Sequence, residues 1–284
     1  MTKVGMVLEG GAMRGIYTAG VLDVLLENKI KIDSIIGVSA GALLGVNYYS
    51  KQKGRAIRYS KKYCRDLRYI SIFSYLFTGN IINKDFAFYK VSKELDPFDD
   101  ETFKNCRGKF YATVTNILTG KPEYIEIKSV IDDMEVLRAS SAMPLVSNIV
   151  EIGNKKYLDG AISDSIPVVK MKSMRFDRII VVLTQDKKYR KEDLGEKEIK
   201  KIEKKYSDYP KLIESIINRP NFYNKTLEKI VDLERKQEIF VIRPSKKLNV
   251  KHIERNKNKI QDAYDLGVND TKKILKKLKD YLEI

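Results

Sequence analysis

Twice in its first fifty residues the chain passes from a short apolar run, through a loop of very small residues, into helical spacing, and this repeat constrains the fold more than any other feature. Residues 3–8 form an apolar run that is broken by Glu9, Gly10 and Gly11, after which Ile16, Ala19, Val21, Leu22, Leu25 and Leu26 recur on one helical face. Residues 34–36 read as a second buried strand, residues 37–41 as a tight turn and residues 42–49 as a second helix. Consecutive strand-loop-helix units predict an α/β fold with a mainly parallel central sheet.

The later sequence fits this frame. Residues 110–116 and 124–127 carry strand signals, with Thr119-Gly120-Lys121-Pro122 as the joining turn, and residues 132–139 read as a short helix. Residues 151–158, broken at Gly153-Asn154, read as a second hairpin that delivers Asp159 and Gly160 at its end. The unbroken apolar runs at 178–184 and 239–242 suit the interior of a covered parallel sheet. Between them, residues 187–236 are polar, lysine-rich and helical, and we expect a helical insertion there. The segment 250–284 is expected to be helical with a break near Gly267, its lysines opposite Ile274, Leu275, Leu278 and Leu282. At 284 residues the whole is expected to be one domain carrying these two helical additions. Tyr69, Phe73, Tyr75, Phe77, Phe86, Phe88 and Tyr89 cluster between residues 51 and 103, as core packing or as an apolar wall or lip beside a site.

Composition narrows the function classes. A formal charge of +16 suits an anionic lipid surface and equally a loose contact with nucleic acid, or it reflects lysines spread over solvated helix faces. No nucleic-acid-binding motif accompanies the charge, so no specific nucleic-acid partner is expected. The longest apolar run, residues 70–77, is far shorter than the roughly 20 residues of a spanning helix. The amino terminus does not resemble a secretory signal, which predicts a cytoplasmic protein. Cys64, Cys106 and the single His252 provide neither a disulfide framework nor a soft metal-ligand cluster, so no metal is expected.

Three constellations could carry chemistry. Gly37-Val38-Ser39-Ala40-Gly41 fits G-x-S-x-G, where small neighbours permit the strained strand-to-helix turn that exposes a serine hydroxyl. The following helix would aim its positive end at charge developing near Ser39. Gly10-Gly11-Ala12-Met13-Arg14-Gly15 lies at a strand-to-helix junction where amides converge on an anion, as an oxyanion hole or a phosphate loop. A phosphate loop would end in Gly-Lys-Ser/Thr, whereas this one continues Arg14-Gly15-Ile16, and a dinucleotide fingerprint would have glycine at Ala12. Asp159-Gly160-Ala161 closes a predicted strand. By itself that is an ordinary turn, but all three elements fall at strand ends, where α/β sheets place their sites.

Together, and in this order, the three motifs resemble those of the patatin-like phospholipase family: its glycine-rich oxyanion loop, its nucleophile motif and its D-G-A/G motif. Ala139-Ser140-Ser141-Ala142-Met143-Pro144 is similar to the segment preceding that family's aspartate, and the likeness continues through residues 209–219 and 223–244 to Tyr264 and Gly267. One departure is Ala12, where the family commonly has glycine; if that position needs a positive φ, alanine is costly. The resemblance implies a three-layer α/β/α fold. It also implies a metal- and cofactor-independent acyl hydrolase acting on a lipid ester; the amino terminus and the positive charge add the expectation of a cytoplasmic protein peripheral to the inner face of an anionic membrane. Ser39 would be nucleophile and Asp159 its base, with the amides of Gly11 and Ala12, helped by Arg14, holding the oxyanion. Two rivals remain: a conventional Ser39/Asp159/His252 triad, and a non-catalytic basic module that binds membranes or nucleic acid. His252 lies among Lys251, Glu254 and Arg255 in what reads as an exposed helix start, which argues against the triad.

Overall fold

The computed structural model describes residues 2–284 and has an α/β architecture of three layers. Its sheet contains β1 (Val4–Leu8), β2 (Ser34–Val38), β3 (Lys109–Asn116), β4 (Pro122–Ile127), β5 (Val150–Ile152), β6 (Lys155–Asp159), β7 (Arg178–Val182) and β8 (Phe240–Ile242). The order is β5-β6-β3-β2-β1-β7-β8, with β4 also paired to β3. The core strands β3, β2, β1, β7 and β8 are parallel, while β4, β5 and β6 pair antiparallel.

Strand residues alternate between two apolar layers, as a pleated strand requires. Met6, Leu8, Ile180 and Val182 face one layer, and Val7, Ile179 and Val181 face the other. That is why β1 and β7 read as unbroken apolar runs. The first layer holds α1 (Ile16–Glu27), α2 (Ala40–Tyr49), α3 (Arg55–Tyr63) and α10 (Lys257–Leu282); the second is built on α7 (Val168–Ser173) and α9 (Pro210–Arg235). Shorter helices α4 (Ile72–Thr78), α5 (Asp100–Lys104), α6 (Met134–Ser140) and α8 (Glu196–Lys205), and a wide π-type stretch at Lys84–Leu95, surround this frame. Tyr69, Phe86 and Phe88 are core residues, whereas Phe73 and Phe77 are exposed on α4.

The C-terminal segment departs from the expected broken helix, because α10 runs uninterrupted through Gly267. A Cβ at Gly267 would lie 2.2 Å from the Tyr17 carbonyl oxygen, and one at Gly20 would lie 2.2 Å from that of Tyr264. Here glycine marks the close crossing of α1 and α10. Among the described residues no helix is long and apolar enough to cross a membrane, and Cys64 and Cys106 are both free.

Candidate active site

Register along β3 explains how residues distant in sequence meet. Val38, the last residue of β2, pairs with Thr113, and Asp159, the last of β6, pairs with Val114. Val114 also pairs with Glu123 of β4, so its other edge is already occupied. Parallel β2 and antiparallel β6 therefore share one edge of β3 and meet end to end, bringing Ser39 against Asp159. Ser39 Oγ donates to Asp159 Oδ2 at 2.8 Å, and both residues are buried.

Ser39 has φ +52° and ψ −121°, a conformation that for a non-glycine residue costs of order 1–3 kcal/mol. It is the residue preceding α2, whose amino-terminal dipole points at it. The tight turn depends on Gly41, where a Cβ would come 2.4 Å from the Leu8 carbonyl oxygen. Gly37, Val38 and Ala40 complete the turn between β2 and α2. The Ser39 amide donates to Ser140 Oγ at 3.0 Å. In the sequence, Ser140 is marked by the likeness of residues 139–144 to the segment that precedes the aspartate motif, which says nothing of this bond.

The Asp159 carboxylate is held at both oxygens. Oδ1 accepts from the Ala161 amide at 2.8 Å, its backbone N–H donates to Ala142, and Thr115 Oγ1 donates to its carbonyl. Gly160, which follows, has no room for a side chain, since a Cβ would lie 2.1 Å from the Thr113 carbonyl oxygen. Burial pushes the Asp159 carboxyl up from its ordinary value, while the Arg219 charge, the Ala161 amide and the Ser39 hydroxyl pull it down.

The glycine loop leaves β1 beside Ser39. Among the described residues, the N–H groups of Gly10, Gly11 and Ala12 have no hydrogen-bond acceptor. Ala12 has φ +49°, so the position does require the left-handed region, at roughly 1–2 kcal/mol for alanine. Met13 and Gly15 are buried in the turn that leads into α1. Beneath the loop lies buried Glu9, which in the sequence reads only as a strand breaker. Its carboxylate accepts from the Thr184 amide at 2.6 Å and the Tyr223 hydroxyl at 2.7 Å, and burial pushes it up from its ordinary value. Thr184 Oγ1 also donates to the Gly10 carbonyl, so β7 and α9 anchor the loop.

His252 precedes α10 in an irregular segment rather than starting a helix. Its backbone carbonyl accepts from the Met13 amide, and Arg14 Nη1 donates to its Nε2 at 3.2 Å. Among the described residues it has no hydrogen bond to Ser39 or Asp159. Although His252 partly faces solvent, desolvation and then the charges of Arg14, Lys191 and Arg219 hold its imidazole below its ordinary value. The triad geometry is therefore not formed, yet His252 stands at the site, which its charged sequence neighbours gave no reason to expect.

Two cavities open on Ser39. One, of about 120 Å³, is apolar and runs among Leu44, Ile70, Phe88, Met134 and Leu137. The other, of about 320 Å³, is bordered by Asp159, Arg14, Lys191, Arg219 and Tyr223. Among the described residues no group of three or more His, Cys, Asp or Glu side chains is arranged to hold a metal ion.

A serine on a strained strand-to-helix turn, hydrogen-bonded to a buried carboxylate on an α/β sheet, has the form of a serine hydrolase site. Residues 6–171, more than half of the chain, match the model of the patatin-like phospholipase family, and the chain belongs to that family. A second model, for a domain of unknown function (DUF6363), matches residues 209–283. The uncharacterized protein YjjU of Escherichia coli strain K12 is 29% identical over 187 residues, covering 64% of this chain and 52% of that protein. Lysophospholipase nte1 of Aspergillus terreus is 33% identical over 192 residues, covering 63% of this chain and 12% of that protein. The matched region is thus about half of the first relative and a small part of the second. VipD from Legionella pneumophila aligns in structure over 97% of this chain and 67% of its own, with 13% identity and a TM-score of 0.46.

Proposed function

We propose that this protein is a lipid acyl hydrolase of the phospholipase A or lysophospholipase type, working through a Ser39-Asp159 dyad and an acyl-enzyme. The observation that carries this reading is the 2.8 Å hydrogen bond from Ser39 Oγ to buried Asp159, at the junction of an apolar and a polar cavity. In this mechanism Asp159 accepts the Ser39 proton as Oγ bonds to the ester carbonyl carbon. The carbonyl oxygen takes the displaced electron pair, and the unpartnered amides of Gly11 and Ala12, with Arg14 nearby, stabilise it. Collapse expels the alcohol, which takes the proton from Asp159. Water then adds to the acyl-enzyme, again giving a proton to Asp159, and collapse breaks the bond to Oγ, which takes that proton back from Asp159 as the fatty acid leaves.

Desolvation favours this use of Asp159, because a carboxylate near pKa 4 is a weak base for a hydroxyl and a raised value makes it a stronger one. No cofactor or metal has a role in the proposed reaction, a reading that rests on the family likeness. The chain acts as a single catalytic domain over 1–284, with 187–236 and 250–284 as packed helical additions. It works in the cytoplasm, peripheral to an anionic membrane. Support for that docking comes from α4, which exposes Phe77 at 85% and Leu76 at 69%. The bridge between Ile70 and Ile82 closes the base of this projection, and both residues line the apolar cavity.

The test is hydrolysis of a short p-nitrophenyl ester and of a lysophospholipid, in chelator, by wild type, Ser39→Ala and His252→Ala. We expect Ser39→Ala to be inactive and His252→Ala to retain turnover. Loss of the nucleophilic step in His252→Ala would restore the triad, and an inactive wild type would favour a basic binding module.

A further inference from the structure

Strand order reverses at β1, since the chain adds β2 and β3 on one side and β7 and β8 on the other. The crevice at such a reversal, beyond the carboxyl ends of the strands, is where open α/β sheets bind ligands. Here the glycine loop after β1 and Gln185 after β7 line the larger cavity, and the side chains around it include three cations beside four carboxylates.

Arg14 comes from the glycine loop, Lys191 from the segment after β7 and Arg219 from α9. The Nε atoms of Arg14 and Arg219 are buried without a hydrogen-bond partner. None of the three cations forms an ion pair among the described residues. Lys191 is nevertheless held in place: Asn224 of α9 accepts from its amide and donates to its carbonyl, each at 2.9 Å, and its Nζ lies 5.4 Å from the centre of the Tyr223 ring. The acidic groups at the cavity do not neutralise the cluster by contact. Glu9 is engaged by Thr184 and Tyr223, Asp159 by Ser39 and Ala161, and Glu192 and Glu198 stand exposed at the rim. Arg14 and Arg219 thus keep buried N–H donors that no carboxylate of the cavity accepts, and phosphate matches the guanidinium fork.

The two cavities also divide an ester at Ser39. With the carbonyl carbon at Oγ, the apolar cavity accepts the acyl chain, leaving the polar cavity for the alcohol portion. We propose that Arg14, Lys191 and Arg219 form a subsite for the phosphate of the substrate's head group, making a phosphate-bearing lipid ester the preferred substrate. This rests on the acyl-hydrolase reading above. Lys191 and Arg219 lie outside the segment matched to the patatin-like phospholipase model, so the later part of the chain supplies head-group selection.

The experiment compares kcat/KM for 1-palmitoyl lysophosphatidylglycerol and 1-monopalmitoylglycerol in the same neutral mixed micelles, for wild type, Lys191→Gln, Arg219→Gln and Arg219→Lys. Wild type should prefer the phosphate-bearing ester. The ratio of the two values should fall at least tenfold in each glutamine variant and largely persist in Arg219→Lys, whereas general damage to the site would lower both values together. Inorganic phosphate should compete with the lysophospholipid, more weakly in Arg219→Gln; competition with an unchanged substrate ratio would assign the site to a free anion and overturn the head-group role. Calorimetric binding of both lipids to Ser39→Ala, with and without Arg219→Gln, is independent of turnover. Phosphate-selective binding that Arg219→Gln abolishes supports the subsite even if wild type hydrolyses neither ester, while equal binding of the two lipids overturns it and leaves the hydrolase reading intact.

Discussion

Replacing Asp159 with asparagine separates the shape of the site from its proton chemistry. The amide occupies nearly the same volume, and its oxygen can still accept from the Ala161 amide or the Ser39 hydroxyl, both now 2.8 Å from the carboxylate. What it cannot do is take a proton from Ser39. Loss of a positioned general base lowers turnover by roughly 10²–10⁴-fold, which is about 2.7–5.5 kcal/mol of barrier. The residual rate comes from the amides of the glycine loop and from substrate positioning. Folding should not suffer, because the substitution removes a buried carboxylate whose ionised form is opposed by desolvation. The assay is steady-state hydrolysis of a short p-nitrophenyl ester by wild type and Asp159→Asn, with thermal melting of both. A tenfold or smaller loss of kcat would refute the base assignment, and a melting point lowered by many degrees would mean that Asp159 acts mainly in structure.

Three further outcomes follow from the geometry. Removing the positive charge that pulls the Asp159 carboxyl down should raise it further; since the base acts ionised, Arg219→Gln should move the acid limb of kcat/KM for a neutral ester to higher pH, and an unmoved limb would contradict this. Gly267→Ala should force α1 and α10 apart and destabilise the protein by about 1–3 kcal/mol or more, read from the urea midpoint, because the added carbon meets backbone rather than a movable side chain. Paired Leu76→Asp and Phe77→Asp substitutions should weaken flotation with anionic vesicles and lower hydrolysis of vesicle lipid relative to a monomeric ester; equal loss on both substrates would argue against membrane docking.

Much of the frame can be read from residues that are neighbours in the chain. The period of apolar side chains separates β1 from α1 and β2 from α2, and Gly10, Gly11, Gly37 and Gly41 mark the junctions, because both signals act within a few residues. The hairpin of β3 and β4 and that of β5 and β6 are legible for the same reason. Misreading arose where one residue type has two physical uses. Gly267 reads as a helix break, although its missing side chain serves a contact with Tyr17 about 250 positions away. Glu9 reads as the end of a strand, although Thr184 and Tyr223 make it a buried anchor.

Sequence alone determined the α/β class, the order of the three motifs and the residue types able to do acyl chemistry, since these depend on local periodicity and on side-chain identity. Only the tertiary structure decided that Ser39 and Asp159, 120 positions apart, share a hydrogen bond. Their meeting depends on two strands occupying the same edge of β3, and long-range register leaves no local periodic trace. The same holds for Arg14, Lys191, Arg219 and His252. Lys191 and Arg219 are ordinary polar residues in their own segments, Arg14 and His252 are candidates without a known neighbourhood, and their common cavity exists only once the loop, the sheet and α9 close around it.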